Sequence, residues 1–221
     1  WRNRPRKGVY RRSTEGRREM IDKVTVQECA ICGACVNACP VDAISFTKAH
    51  LDFWYPQINE DICIHCNQCE CACPILGCKG KPDDGYPVAF AAKSADDSIR
   101  LRSSSGGVFY ELAEQMLREG GYVCGAVFDD EFHVKHILSN THEDILRMMG
   151  SKYAQSNMGY CYREIKEMLE KGNKVLFSAC PCQVAGLRTF LGKDYKNLLL
   201  VELICHGIPS NGMLQTYIGM Q

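Results

Sequence analysis

Two matching runs of four cysteines constrain this chain more than any other feature. Cys29-x-x-Cys32-x-x-Cys35-x-x-x-Cys39-Pro40 recurs as Cys63-x-x-Cys66-x-x-Cys69-x-x-x-Cys73-Pro74, at a constant offset of 34 residues. Thiolates at i, i+3 and i+6 wrap one turn of backbone around a cubane cluster and hold three of its irons, so a fourth must come from elsewhere. Zinc is the competing metal, but it usually takes paired C-x-x-C knuckles. Two complete eight-position matches point to iron–sulfur clusters instead.

The cysteine total supports the same chemistry. The chain has 15 Cys in 221 residues. Small secreted domains reach such densities with disulfides. This chain opens with polar, arginine-rich sequence and no apolar h-region, so metal or redox work inside the cell is expected, with a cytoplasmic location. The apolar run Leu198 to Cys205 is broken by Glu202 and is far shorter than the ~20 residues of a spanning helix. Lys+Arg and Asp+Glu are equal at 26 each, and nothing in that balance argues for nucleic acid.

Organisation follows from charge, turns and periodicity. Residues 1–19 hold eight basic side chains before Met20 and have no apolar periodicity; they read as a basic disordered tail, with Met20 a natural start. Residues 20–80 hold the cysteine repeat, with two short extended patterns, Ala43–Thr47 and Phe53–Ile58, between its copies. Residues 81–87, rich in Pro, Gly and Asp, read as a linker. Residues 88–221 alternate strand and helix patterns. Val88–Lys93, Tyr122–Phe128, Phe132–Leu138, Val175–Phe177 and Leu198–Ile204 read as strands. Helical faces start near Val108 and Tyr162 and again at Met213, and Thr141 can cap a short helix. The last helical pattern is cut at Gln221, so the chain is expected to continue. The fold class expected is α+β: a small dicluster domain followed by an α/β domain with a mixed sheet.

The first of these parts resembles a two-cluster bacterial ferredoxin over roughly residues 24–80. In those proteins the fourth Cys of each run ligates the other run's cluster. The resemblance implies that Cys29, Cys32, Cys35 and Cys73 hold one 4Fe–4S cluster, and that Cys63, Cys66, Cys69 and Cys39 hold the second. Cys71 and Cys78 lie outside the pattern and read as small apolar residues. His65, between two ligands, reads as a solvated side chain.

Four motifs in the second part carry further chemistry. Ser103-Ser104-Ser105-Gly106-Gly107 precedes an amphipathic helix; it is either a helix cap or a phosphate cradle. Gly150-Ser151-Lys152-Tyr153 is a polar turn with a cation suited to an anion. Cys180-Pro181-Cys182-Gln183-x-x-Gly186-Leu187 and Cys205-His206-Gly207-x-Pro209-Ser210 each place Cys at the end of a strand pattern, where α/β folds place their ligands. From Ala91 onward this set resembles the beta subunits of coenzyme F-420-reducing hydrogenases and dehydrogenases, a superfamily that includes the 7-hydroxymethyl chlorophyll a reductases. Ala179-Cys180 departs from the Gly-Thr pair common before Pro-Cys.

The resemblance implies an oxidoreductase with a non-covalent FAD, held by Ser104, Ser105, Gly106, Gly107, Ser151, Lys152 and Tyr153. Electrons would pass between the clusters, the FAD and a hydride carrier such as coenzyme F-420 or another organic substrate. The partner implied is a ferredoxin or a hydrogenase or dehydrogenase subunit. Cys182 and Cys205 are expected near each other, beside the flavin, as ligands of a further cluster, or as buried thiols. The rival reading is a pure electron-transfer module whose α/β part only docks to a partner redox subunit.

Overall fold

The computed structural model describes residues 23–48, 52–76 and 87–220. The tail at 1–19, most of the linker at 81–87 and Cys78 lie outside the described residues.

The cysteine repeat is also a repeat of backbone. Helix α1 (Ala34–Ala38) begins just before the third cysteine of the first run, and α2 (Gln68–Ala72) does so in the second at the same offset. Ile31 and Gly33 take left-handed backbone (φ 55° and 82°), and His65 and Asn67 match them (52° and 58°). Such angles are uncommon outside glycine, yet they recur at equivalent places in both runs because each turn must close around the same shape. His65 is exposed, and its place in the repeat is a backbone one. Between the helices, β1 (Ile44–Lys48) and β2 (Trp54–Ile58) pair antiparallel, Ile44 opposite Ile58 and Lys48 opposite Trp54. Cys35, Val36, Cys39, Ala43, Ile44, Cys69 and Cys73 form the small core of this part.

The rest is α/β. Two helices, α3 (Asp97–Arg102) and α4 (Val108–Arg118), lead into a five-stranded mixed sheet of order β5-β4-β3-β6-β7. Its strands are β3 (Tyr122–Phe128), β4 (Val134–Ser139), β5 (Ser156–Asn157), β6 (Val175–Ala179) and β7 (Leu198–Glu202). Only β3 and β4 pair antiparallel; β3–β6, β6–β7 and β4–β5 are parallel. Every residue of β6 is buried, as a central strand covered on both faces requires.

The two faces bury different helices. α4 and α5 (His142–Met148) cover one face, with Ala113, Met116, Ile145 and Met148 against Val123, Val127 and Leu176. Thr141 caps α5 by accepting the Asp144 amide. α6 (Cys161–Glu170) and α7 (Pro181–Leu191) cover the other face, with Tyr162, Ile165, Val184 and Leu187 against Cys124, Val175 and Phe177. Tyr162 and Phe177, fully buried, meet edge to face at 5.9 Å. Burying each is worth about 1.5–3 kcal/mol.

Cys32, Ala34 and Ala72 belong to this same core. The cysteine repeat therefore packs directly onto α6 and α7. The last helix, α8 (Asn211–Ile218), is capped by Ser210.

One expected strand is absent. Residues 88–93 have no regular structure. Val88 and Phe90 are exposed, at 75% and 86%, and with no neighbouring strand their β-propensity has nothing to pack against. The loop Ser103–Gly107 accordingly follows α3, not a strand. Among the described residues no helix is long and apolar enough to cross a membrane.

Candidate functional site

The crossed cysteine sets are gathered in space. Cys29, Cys32, Cys35 and Cys73 line one cavity with Val24, Phe46 and Pro56. Cys39, Cys63, Cys66 and Cys69 line a second with Ile44, Ile58 and Ile64. Each run contributes three thiols to its own cavity and one to the other. Among the described residues no three of His, Cys, Asp and Glu close on a single ion. Four thiols line each cavity, the donor set of a 4Fe–4S cluster.

Electrostatics fits that reading. Burial pushes the Cys32 thiol up to about 12, helped by Cys73, Cys182 and Cys29. Burial raises Cys35 and Cys29 as well. Thiolates crowded in an apolar cavity are unfavourable unless cations neutralise them. Backbone amides already point at the sulfurs. Those of Ile31, Ala34 and Val36 meet Cys29, Cys32 and Cys35, and the Ala43 amide donates to Cys39 Sγ at 3.1 Å. Such N–H···S bonds stabilise negative sulfur and tune a cluster's potential.

The first run is held by the α/β part. The Tyr162 hydroxyl stands 2.7 Å from the carbonyl oxygens of both Cys32 and Gln183, and has one proton for the two. Arg163 Nε donates to Asn37 O at 2.7 Å, and its Nη2 donates to the carbonyls of Val36 and Cys39 and pairs with Asp42 at 2.8 Å. This one guanidinium caps the C-terminal end of α1, where the unsatisfied carbonyls carry negative partial charge. Asn37 Nδ2 donates to Gly159 O at 2.9 Å. Gln155 exchanges two hydrogen bonds with the Trp54 backbone, at 2.9 and 2.8 Å. A Cβ on Gly186 would lie 2.9 Å from Cys32 Sγ, so only glycine lets α7 approach the first cavity this closely.

The motif around Cys182 is first a helix start. Pro181 occupies the first turn, and Gln183 accepts the Cys180 amide at 3.1 Å. Its thiols nevertheless converge. Burial pushes Cys180 up to about 12, and the Cys205 thiol beside it adds to the shift by charge and hydrogen bonding. Cys182 is raised by burial and then by Cys205, and it also lies within electrostatic range of Cys29. Cys182 thus lies within electrostatic range of both Cys205 and the first run.

The two polar turns also meet. The Ser151 amide donates to Ser104 Oγ at 2.7 Å. Ser104 and Ser105 are exposed, while Gly107 is buried at the start of α4. Gly106 is hemmed in differently from a phosphate cradle: its Cβ position lies 2.8 Å from Ala92 O. Lys152 Nζ donates to the carbonyls of Arg147, Met149 and Gly150 at 2.7, 2.7 and 3.1 Å. Burial lowers it to about 8. It closes the end of α5, with all three donors engaged. Tyr153 is exposed.

Sequence reasoning missed the roles of Tyr162, Arg163 and Gln155. Tyr162 was legible as the start of a helical face, but the partners that tie these three residues to the cysteine repeat lie 101 to 130 residues away.

Comparison with known proteins agrees with this geometry. Residues 28–75 match the model of the 4Fe-4S dicluster domain, and residues 89–161 match that of the coenzyme F420 hydrogenase/dehydrogenase, beta subunit N-term family. Together the two matches span the cysteine repeat and the first part of the α/β region. It is 25% identical over 195 residues to a subunit of the F(420)H(2) dehydrogenase of Methanosarcina mazei, covering 80% of this chain and 53% of that protein. It is 41% identical over 211 residues to the acetyl-CoA decarbonylase/synthase complex subunit alpha 1 of the same organism, covering 91% of this chain and 22% of that protein. A chain of the F420-reducing [NiFe] hydrogenase complex from Methanosarcina barkeri is 25% identical, with a TM-score of 0.48, over 57% of this chain and 46% of that one. The chain therefore spans about half the length of the dehydrogenase subunit it matches.

Proposed function

We propose that this chain is the electron-transferring part of an F-420-linked hydrogenase or dehydrogenase. In this reading Cys29, Cys32, Cys35 and Cys73 ligate one 4Fe–4S cluster, and Cys63, Cys66, Cys69 and Cys39 ligate the other. The observation that carries it is the crossed pair of cavities, each ringed by the four thiols of one set. The protein's own contribution is to exclude water with Phe46, Pro56, Ile44 and Ile58, to aim amides at sulfur, and to fix the first run on α6 and α7.

FAD is the proposed next redox centre, at the paired turns of Ser104–Gly107 and Ser151–Tyr153. A flavin exchanges single electrons with clusters and hydride with an organic carrier such as coenzyme F-420. The exposed hydroxyls of Ser104 and Ser105 and the amides opening α4 fit an anionic group. Lys152 fits it less well, because a phosphate would have to replace one of its three carbonyl acceptors. Cys182, within electrostatic range of Cys29 and Cys32, and Cys205 beside it would offer two thiols to a further cluster. The proposed partner is a redox subunit, and the proposed setting is cytoplasmic.

Anaerobic purification followed by iron and flavin analysis tests the reading. Two clusters with bound FAD are expected. Two clusters without FAD would leave the pure electron-transfer module, for which the engaged Lys152 is the supporting observation.

A further inference from the structure

The two cavities differ in what covers them. The first abuts Gly186, Tyr162 and Cys182 of the α/β part. The wall of the second is a single layer whose residues are themselves exposed: Val41, Ile64, His65, Cys66 and Asn67 line the cavity and face solvent. Ile62 and Ile64 are 48% and 58% exposed. Beside them stand Glu60 and Asp61, both exposed. From Ala49 to Cys78 the sequence has no Lys or Arg; Asp52 and Glu70 pair with Lys48 and Lys23, so the negative charge beside the loop comes from Glu60 and Asp61. Apolar side chains rimmed by one sign of charge form a docking surface, and the charge steers a partner of opposite sign.

We propose that the loop Glu60–Asn67 with Val41 docks a one-electron carrier protein whose cofactor edge is rimmed by basic residues. This rests on the two-cluster reading above. The second-run cysteines would then hold the outer centre, and the first-run cysteines, nearer Cys182, the inner one. The step at the surface moves one electron between the second-run cluster and the carrier, oxidising one and reducing the other, with no proton or bond transferred. The steering is electrostatic, so it must weaken as salt shortens the Debye length.

Cytochrome c, a basic one-electron haem protein, is a suitable probe. The reduced holoprotein is mixed with it in a stopped-flow instrument at rising ionic strength. The same is done for Asp61→Lys, for Glu60→Lys, and for Glu143→Lys, which makes the same charge change at an exposed position of α5 across the sheet. Neutral benzoquinone serves as the small oxidant in parallel. The expected result is a rate that falls with salt in the wild type. At low salt it drops roughly tenfold in Asp61→Lys and Glu60→Lys. Glu143→Lys and the benzoquinone rates change little. Either loop variant that keeps its iron and its resonance signal suffices. Equal effects from Glu143→Lys and the loop variants, or no salt dependence, overturns the proposal while leaving the two-cluster reading intact. A wild-type protein without two clusters overturns both.

Discussion

Gly186 has no side chain because Cys32 occupies the space one would need. Its Cβ position is 2.9 Å from Cys32 Sγ, 3.1 Å from Cys32 Cβ and 3.1 Å from the Tyr162 hydroxyl. Gly186→Val should strain the packing by about 1–3 kcal/mol and push Cys32 out of ligand position. Iron analysis should then show loss of one cluster, that of the first run, and an unchanged iron content would show that the close approach is incidental. Tyr162→Phe is gentler. It strips a hydroxyl from two buried carbonyls and should destabilise by roughly 1–3 kcal/mol, read as a lower urea midpoint with both clusters still present. His136 makes a different prediction. Its imidazole is buried beside Phe177 and bonded through Nδ1 to Ser156 Oγ at 2.6 Å. Burial is the main cause that holds it down to about 4, against an ordinary 6.5, with Lys152 adding to the shift. The folded protein thus binds fewer protons there than the unfolded chain does. Stability from this group is complete above 6.5 and is lost as pH falls through 6.5 towards 4. The loss should be on the order of 2 kcal/mol between about pH 7.5 and pH 5. His136→Gln should remove that part of the acid sensitivity, seen as a smaller drop in Tm between the two pH values than in the wild type.

At the scale of elements, α1 is five residues long and too short to persist alone. It is held from outside, by Arg163 on its last carbonyls and Asn37 on Gly159. Arg163→Met should remove several charge-assisted bonds, each worth roughly 1.5–3 kcal/mol. It should loosen the first run from α6, raising hydrogen exchange in residues 34–39 while β3 and β6 stay protected. Equal protection in wild type and variant would mean that apolar packing alone holds α1. These long-range contacts mark where sequence reading stops. The cysteine spacing was legible because ligand geometry is local, and β3, β4, β6, β7, α4 and α6 because period-2 or period-3.6 burial is local too. The turns at Ile31 and His65 were not legible, since φ > 0 at a non-glycine is imposed by the shape enclosed. Residues 88–93 were misread because alternation alone does not supply a pairing strand. Lys152 looked free for an anion because its carbonyl acceptors come from a helix end that only the fold brings under it.

The whole molecule reads as a path. An acidic, apolar-centred loop covers the second cavity. The first cavity lies inward against α7, whose first turn carries Cys182; Cys205 follows β7. The cysteine repeat and the α/β part share one core, so the spacing between centres is set by packing. The central claim is that each run donates its fourth cysteine to the other's cluster, and one experiment reads it out. Iron and acid-labile sulfide are measured anaerobically, with electron paramagnetic resonance of the reduced protein, on the wild type and on Cys73→Ala, Cys29→Ala and Cys63→Ala. The account predicts about eight irons in the eight-cysteine sites. It also predicts that Cys73→Ala loses the same signal as Cys29→Ala while keeping the one that Cys63→Ala destroys. A single cluster, stoichiometric zinc, or a Cys73→Ala spectrum that matches Cys63→Ala would contradict it.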